Sequence, residues 1–190
     1  MPKPQPKPPL PMRELFPEIG LLASARLGIQ IEEIWQELWQ MSSYQRIEDV
    51  PVSLTIDYPQ LLHTQGVLRG ALALADTWER LHGTALDRDV LIGGALLIDV
   101  SKLVESSRDA EGKPRRTEVG ELLPHATYGA HLALAKGVPL PVVHCILSHS
   151  PNGGKAPQTR EAQLIDWLDQ ADISAFGFDI WKRKVIHYQP

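Results

Sequence analysis

Histidines and aspartates that interrupt apolar helical faces are the residues of this sequence with chemistry to offer. His63 shares a stripe with Val67, Ala71 and Leu74, so its imidazole is expected to point inward. Asp99 sits between Leu96-Leu97-Ile98 and Val100, where an unpaired carboxylate would cost on the order of several kcal/mol. Lys102, three residues on, is its ordinary helical partner; a cation in a dry site would compensate the charge more fully. In that second case the ion-free fold would lose little if the carboxylate were removed. Further along come His125 after Pro124, then His131, His144 and His149, and the acidic set Asp166, Asp169 and Asp172. Asp169 follows Ile165 by four and precedes Ile173 by four, which places it on an apolar face. Neutral imidazoles and carboxylates are the usual donors for divalent Mn, Fe, Co, Ni, Zn or Mg. The blander reading of the same residues is a set of satisfied core polars, with His63 bonded to a carbonyl and Asp99 to Lys102. Spacing alone leaves both readings open.

These side chains have to be positioned by helices. Ile31, Ile34, Trp35, Leu38 and Trp39 recur at the spacing of one helical face. Residues 46–59 read as an irregular connector, ending where Pro59 can open a second long helix to about Leu81. From Asp87 to about Ser106 the chain is apolar nearly all round and is expected to be the central, enclosed helix. The polar stretch between Ser106 and Gly120 predicts a mobile loop or short hairpin at the rim of any pocket. Three more helices follow, over about 122–136, 139–149 and 159–175, separated by Gly137-Val-Pro and by SPNGGKAP. The expected fold class is all-α. Six of the 16 prolines lie in the first 12 residues, which predicts a flexible tail over 1–12 and one helical domain over 13–190, its core spanning about 59–175.

Composition narrows the functional classes. A formal charge of −4 and a pI near 6.0 provide no global positive field for duplex nucleic acid. No apolar stretch is long enough to span a bilayer, and the Pro-rich start lacks the apolar run of a secretory signal. The single cysteine, Cys145, lies in the apolar run PVVHCIL, as expected of a packed thiol in a reducing, cytoplasmic compartment. The Gly pairs at Gly93 and Gly153 lack the strand-and-helix context of a phosphate loop. The runs KPRR at Lys113 and WKRK at Trp181 read as ordinary basic surface. Trp78 and Trp167 suit core packing; Trp35 and Trp39 suit either the core or a contact between copies, so a homo-oligomer stays open.

Taken in order, HTQGV, LLIDVSKLVE, LLPHATYGAHLALAKGVPLPVVHCILSHS and TREAQLIDWLDQAD resemble the HD-domain superfamily of metal-dependent phosphohydrolases, a helical-bundle family with ordered His, His-Asp, His, His and Asp motifs. The resemblance covers about Pro59 to Ala175. It implies that His63 and Asp99 are metal ligands, that His125 and His149 serve a second ion or the phosphate, and that Asp169 closes the first site. Asp169 is preferred to Asp172 because it falls eight residues after Glu161, as in the family's EA…AD pattern. His131 and His144 take no role. One departure is plain: Ile98 stands where the family has the His of its His-Asp pair, and Ser101 where it has Gly, while Lys102 is retained. The first site is thereby reduced to three protein donors.

The activity this implies is hydrolysis of a small phosphate ester or nucleotide through a metal-activated water. Asp99 would hold the metal, and Lys102 would stabilise charge developing on the phosphoryl oxygens. Two other readings carry weight. Ile98 suits a degenerate domain kept as a ligand-binding or interaction module. A di-iron oxygenase resembling the myo-inositol oxygenase branch would need both irons held firmly, which Ile98 opposes.

Overall fold

The computed structural model describes residues 7–177, and within them all side chains but those of Asp57 and Asn152. Residues 1–6 and 178–190, including the basic run at Trp181, lie outside the described residues.

A short helix α1 (Met12–Leu15) and a 3-10 turn (Pro17–Leu21) lead into α2 (Ala25–Met41). The Ser24 side chain accepts a hydrogen bond from Leu27 N and caps α2 seven residues ahead of Ile31, where the apolar stripe visible in the sequence begins. Trp35 is wholly buried and donates to Leu96 O at 2.9 Å, so it belongs to the core. Trp39 is 3% exposed and donates to Pro8 O at 3.0 Å.

That second bond belongs to a larger contact. Residues 7–12 run along α2, where Gln36 and Gln40 are one turn apart. Each exchanges a pair of hydrogen bonds, Gln36 with the backbone of Leu10 and Gln40 with that of Lys7. Proline removes donors from this segment but leaves every carbonyl free, and the two glutamines and Trp39 supply the missing N–H groups. Leu10 and Met12 are buried. This part of the expected tail is packed.

The expected connector is more ordered than its sequence suggests: β1 (Pro51–Ser53) and β2 (Ile56–Pro59) form an antiparallel hairpin. From it α3 (Gln60–His82) runs 23 residues to Gly83, whose φ of 65° ends it in the left-handed region. The predicted central helix is broken in two. After α4 (Arg88–Leu97) the pairing shortens to i→i+3, with Lys102 N bonded to Asp99 O at 3.0 Å and Val104 N to Ser101 O at 3.0 Å, before α5 (Lys102–Glu105). The break falls at Asp99. Continuous apolar composition marked this stretch as enclosed but carried no signal for the break.

The polar stretch forms a second hairpin, β3 (Ser106–Arg108) with β4 (Pro114–Arg116), in the register Ser106↔Arg116. Then come α6 (Glu118–Leu122), α7 (His125–Ala135), α8 (Leu140–Ser148) and α9 (Arg160–Phe176). The fold is mostly α, with these two small sheets among the described residues. Helices α3, α4, α8 and α9 pack on one another. Gly94 permits a close approach of α4 to α8 and α9, since a Cβ there would lie 2.5 Å from Ile165 Cδ1 and 3.0 Å from Cys145 Cβ. The Gly pair of α4 therefore serves helix packing. Cys145 is buried as expected, and burial pushes its thiol up to about 12. Trp167 departs from expectation: it is 55% exposed and meets Trp78 edge-on. No helix among the described residues is long and apolar enough to cross a membrane.

Candidate metal centre

Five helical regions, α3, the break between α4 and α5, α7, the end of α8 and α9, bring their polar side chains to one place. His63 is fully buried on α3. Its Nε2 lies 3.0 Å from Asp169 Oδ1 and 3.3 Å from Asp99 Oδ2, while Nδ1 lies 2.8 Å from Asp172 Oδ2. Asp169 and Asp172 are three apart on α9, which sets both on the face turned to α3. Thr159 caps this helix by accepting from Ala162 N at 3.2 Å. Gly66, one turn beyond His63, makes room for Asp172: a Cβ there would overlap Asp172 Oδ1 and fall 3.0 Å from its Cγ.

Asp99 projects from the break between α4 and α5 and is 2% exposed. Its Oδ2 receives Lys102 Nζ at 2.9 Å as well as facing His63. Its Oδ1 is buried and accepts no hydrogen bond, although His125 Nε2 and His149 Nε2 each stand 3.5 Å away. Those two nitrogens are 3.0 Å apart. His149 directs Nδ1 at Ile146 O, 2.7 Å away, and donates its N–H there, which leaves Nε2 to face the centre. His125 opens α7 after Pro124, and its backbone carbonyl accepts from Ser101 Oγ at 2.9 Å.

Two lone pairs cannot face each other at this distance, so a proton or a cation has to lie between the imidazoles. A proton shared by the rings still leaves Asp99 Oδ1 without a partner, and a buried unpaired carboxylate oxygen is costly. A cation bound by all three atoms satisfies them at once. Two ligand groups are therefore present, His63/Asp99/Asp169 and Asp99/His125/His149, joined by the two oxygens of Asp99. These donor sets fit a divalent ion.

The charge states follow from the packing. Burial opposes charge on His63, but hydrogen bonds to Asp169, Asp172 and Asp99 overcome it and raise its pKa to about 11. Burial alone would raise the Asp99 carboxyl, yet Lys102, His149 and His63 hold it well below the usual carboxylate range. His125 is pushed down to about 4, first by burial and then by Lys102 and His149. Burial disfavours charge on Lys102 too, but Asp99 and Asp169 keep its amine above the ordinary lysine value. Lys102 is thus the close partner of Asp99 and also lines the adjoining cleft.

A cavity of about 270 Å³ opens over the two groups, bounded by Asp99, Lys102, His125, His149 and Asp169 and roofed by hairpin residues from Val52 to Ile56. Lys102 and His125 also line a neighbouring cleft of about 650 Å³ between the two hairpins and α6. Together they have the size of a small-molecule site.

All five residues singled out as ligands converge, and Lys102 joins them. His131 is exposed on α7, and His144 Nε2 accepts from Gln158 N at 2.8 Å, so neither enters the centre. Asp166 pairs with Gln163. Ile98 is packed in the hydrophobic core and 1% exposed. Asp172, which the family pattern ranks behind Asp169, reaches the centre through His63; its sign in the sequence is the three-residue offset, which gives both carboxylates the same helical face. The hairpin roof had only the β-branched residues between Pro51 and Pro59 as a sign.

Among known proteins, the chain is similar to the dihydroneopterin 2',3'-cyclic phosphate phosphodiesterase of Methanocaldococcus jannaschii, 28% identical over 131 residues. The match takes in 66% of this chain and 52% of the relative, so the chain spans about half the relative's length. No family model matches the sequence. No solved structure matches it either.

Proposed function

We propose that the chain is an HD-type, metal-dependent phosphoesterase acting on a small phosphate ester, with phosphodiesters, cyclic ones included, as the first substrates to try. The observation that carries this reading is Asp99, whose Oδ2 is shared by His63 and Lys102 while its buried Oδ1 faces two convergent imidazole nitrogens. The relative's phosphodiesterase name supports the same class of reaction.

His63, Asp99 and Asp169 would hold one divalent ion, and Asp99, His125 and His149 a second. Such an ion supplies Lewis-acid polarisation of a phosphoryl oxygen and acidifies a water. Asp172 holds His63 by Nδ1 and turns its Nε2 to the centre, as carboxylates behind metal-binding imidazoles do. Ile146 O performs the same task for His149. Lys102 keeps a positive charge at the junction of the two cavities, where it offsets charge gathering on the phosphoryl oxygens. Val52, Ser53, Thr55 and Ile56 of the hairpin line the same cavity, opposite the ligand groups.

The test uses the full chain stripped with chelator, then supplied with Mn, Fe, Co, Ni, Zn or Mg. Release of p-nitrophenol from bis(p-nitrophenyl) phosphate or p-nitrophenyl phosphate is expected with at least one of them. Metal uptake with no release from either ester contradicts the proposal. Two observations favour a non-catalytic module instead: Ile98 gives no donor, and His63 already has a carboxylate at both nitrogens. That reading predicts a chain that takes up no ion.

A further inference from the structure

The cleft beside the two ligand groups holds one cation that the hydrolytic centre does not use. Arg116 ends β4, opposite Ser106, and lines the same 650 Å³ space as Lys102 and His125. Its neighbours on the hairpin are engaged elsewhere. Arg115, on the opposite face of the strand, reaches Ser107 Oγ at 3.4 Å, and Arg108 bonds Gly112 O and lies over the Tyr44 ring. Arg116 instead donates one N–H to Gly120 O at 3.0 Å and forms no ion pair among the described residues. Glu105 feels its charge but stays out of ion-pair contact. Gly120 is fixed in turn: its N–H is bonded to Thr117 Oγ1, and it sits so close to Glu105 O that no side chain fits there. The guanidinium is therefore held from one side, with its remaining donors free toward the cleft.

A planar fork of N–H donors anchored in this way suits a phosphate or carboxylate group. Lys102, held by Asp99 at 2.9 Å, is committed to the group at the centre, which leaves Arg116 for a second one. The cleft volume lies in the range that encloses a nucleotide-sized molecule. We infer that Arg116 forms an anion subsite, so that the preferred substrate is a phosphate ester bearing a second anionic group on the same small scaffold, one group at the centre and the other on Arg116. This rests on the phosphoesterase reading above, and it makes Arg116 a specificity residue.

The test compares ligands that differ only in the second anionic group. Metal-loaded full chain is titrated calorimetrically with adenosine 3'-monophosphate and with adenosine 3',5'-bisphosphate. KM and kcat are measured on adenosine 2',3'-cyclic phosphate with and without a 5'-phosphate. Wild type is expected to bind the bisphosphate about 10–100-fold more tightly, the worth of one charge-assisted contact. Arg116→Ala should abolish that preference, raise KM for the 5'-phosphorylated ester alone and leave kcat unchanged; Arg116→Lys should restore part of it. Equal affinity of wild type for both nucleotides, or an equal loss for both in Arg116→Ala, overturns the subsite. If neither ester is cleaved yet the preference exists and depends on Arg116, the phosphoesterase reading falls and the subsite stands. Cleavage without the preference has the reverse meaning.

Discussion

Replacing Asp99 by Asn should destabilise the ion-free protein, which is opposite to what the sequence alone suggested. The carboxylate is 2% exposed and Lys102 15%, with 2.9 Å between Oδ2 and Nζ and with His63 at 3.3 Å. Breaking such a buried pair by neutralising one member costs about 3–5 kcal/mol, because the other charge is left uncompensated. The lower end applies, since Lys102 can turn toward cleft water. About 3 kcal/mol corresponds to roughly 6–12 °C in Tm for a domain of this size. Lys102→Met should cost less than Asp99→Asn, because Asp99 keeps His63 and His149. The double variant should be more stable than additivity allows by about 2 kcal/mol, since it strands no charge. Urea unfolding of the four chelator-treated proteins, followed by circular dichroism, measures this cycle. A coupling below about 0.5 kcal/mol, or an Asp99→Asn protein as stable as wild type, would refute the reasoning.

Further outcomes follow from the same contacts. Gly66→Ala drives Asp172 off His63 Nδ1 and should weaken metal binding about 10–100-fold while leaving Tm within a few degrees, since alanine favours the helix; unchanged affinity by competition with a fluorescent chelator would contradict it. Metal uptake near pH 8 should release at least about one proton, because His63 at about 11 is charged in the ion-free protein and has to lose that proton to bind; calorimetry in buffers of different ionisation enthalpy counts it. The same raised pKa fixes the sign of the stability profile. The His63 contribution to ion-free stability is complete below its unfolded value of 6.5 and is lost as pH rises through about 11, so urea midpoints should fall over that window. Gly94→Ala forces a methyl into Ile165 and Cys145 and should cost about 1–3 kcal/mol in the same unfolding assay.

The helices were legible because their faces repeat at helical spacing: α2, α3 and α9 lie close to where the apolar stripes place them. The break at Asp99 was hidden because composition reports enclosure and says nothing of a switch from i→i+4 to i→i+3 pairing. His63, Asp99, His125, His149 and Asp169 stood out since each is polar within an apolar run or at the edge of one. Asp172 and Arg116 did not, for opposite reasons. Asp172 takes second place to Asp169 in the family pattern, and its role depends on a bond to His63 from 109 residues away. Arg116 belonged to a basic run whose members the hairpin sends to different faces. Docking of residues 7–12 depends on glutamine side chains 26 and 33 residues away, a pairing no local pattern encodes.

The central claim is that the two oxygens of Asp99 join two separate cation sites. Its most direct test is the metal content of chelator-stripped, Mn-reloaded chain after gel filtration, for wild type, Asp169→Asn, His149→Ala and Asp99→Asn. The two ligand groups predict about two ions per wild-type chain, about one in each of the single-group variants and almost none in Asp99→Asn. Equal metal content in all four proteins, or an Asp99→Asn chain that keeps its ions, would contradict the account.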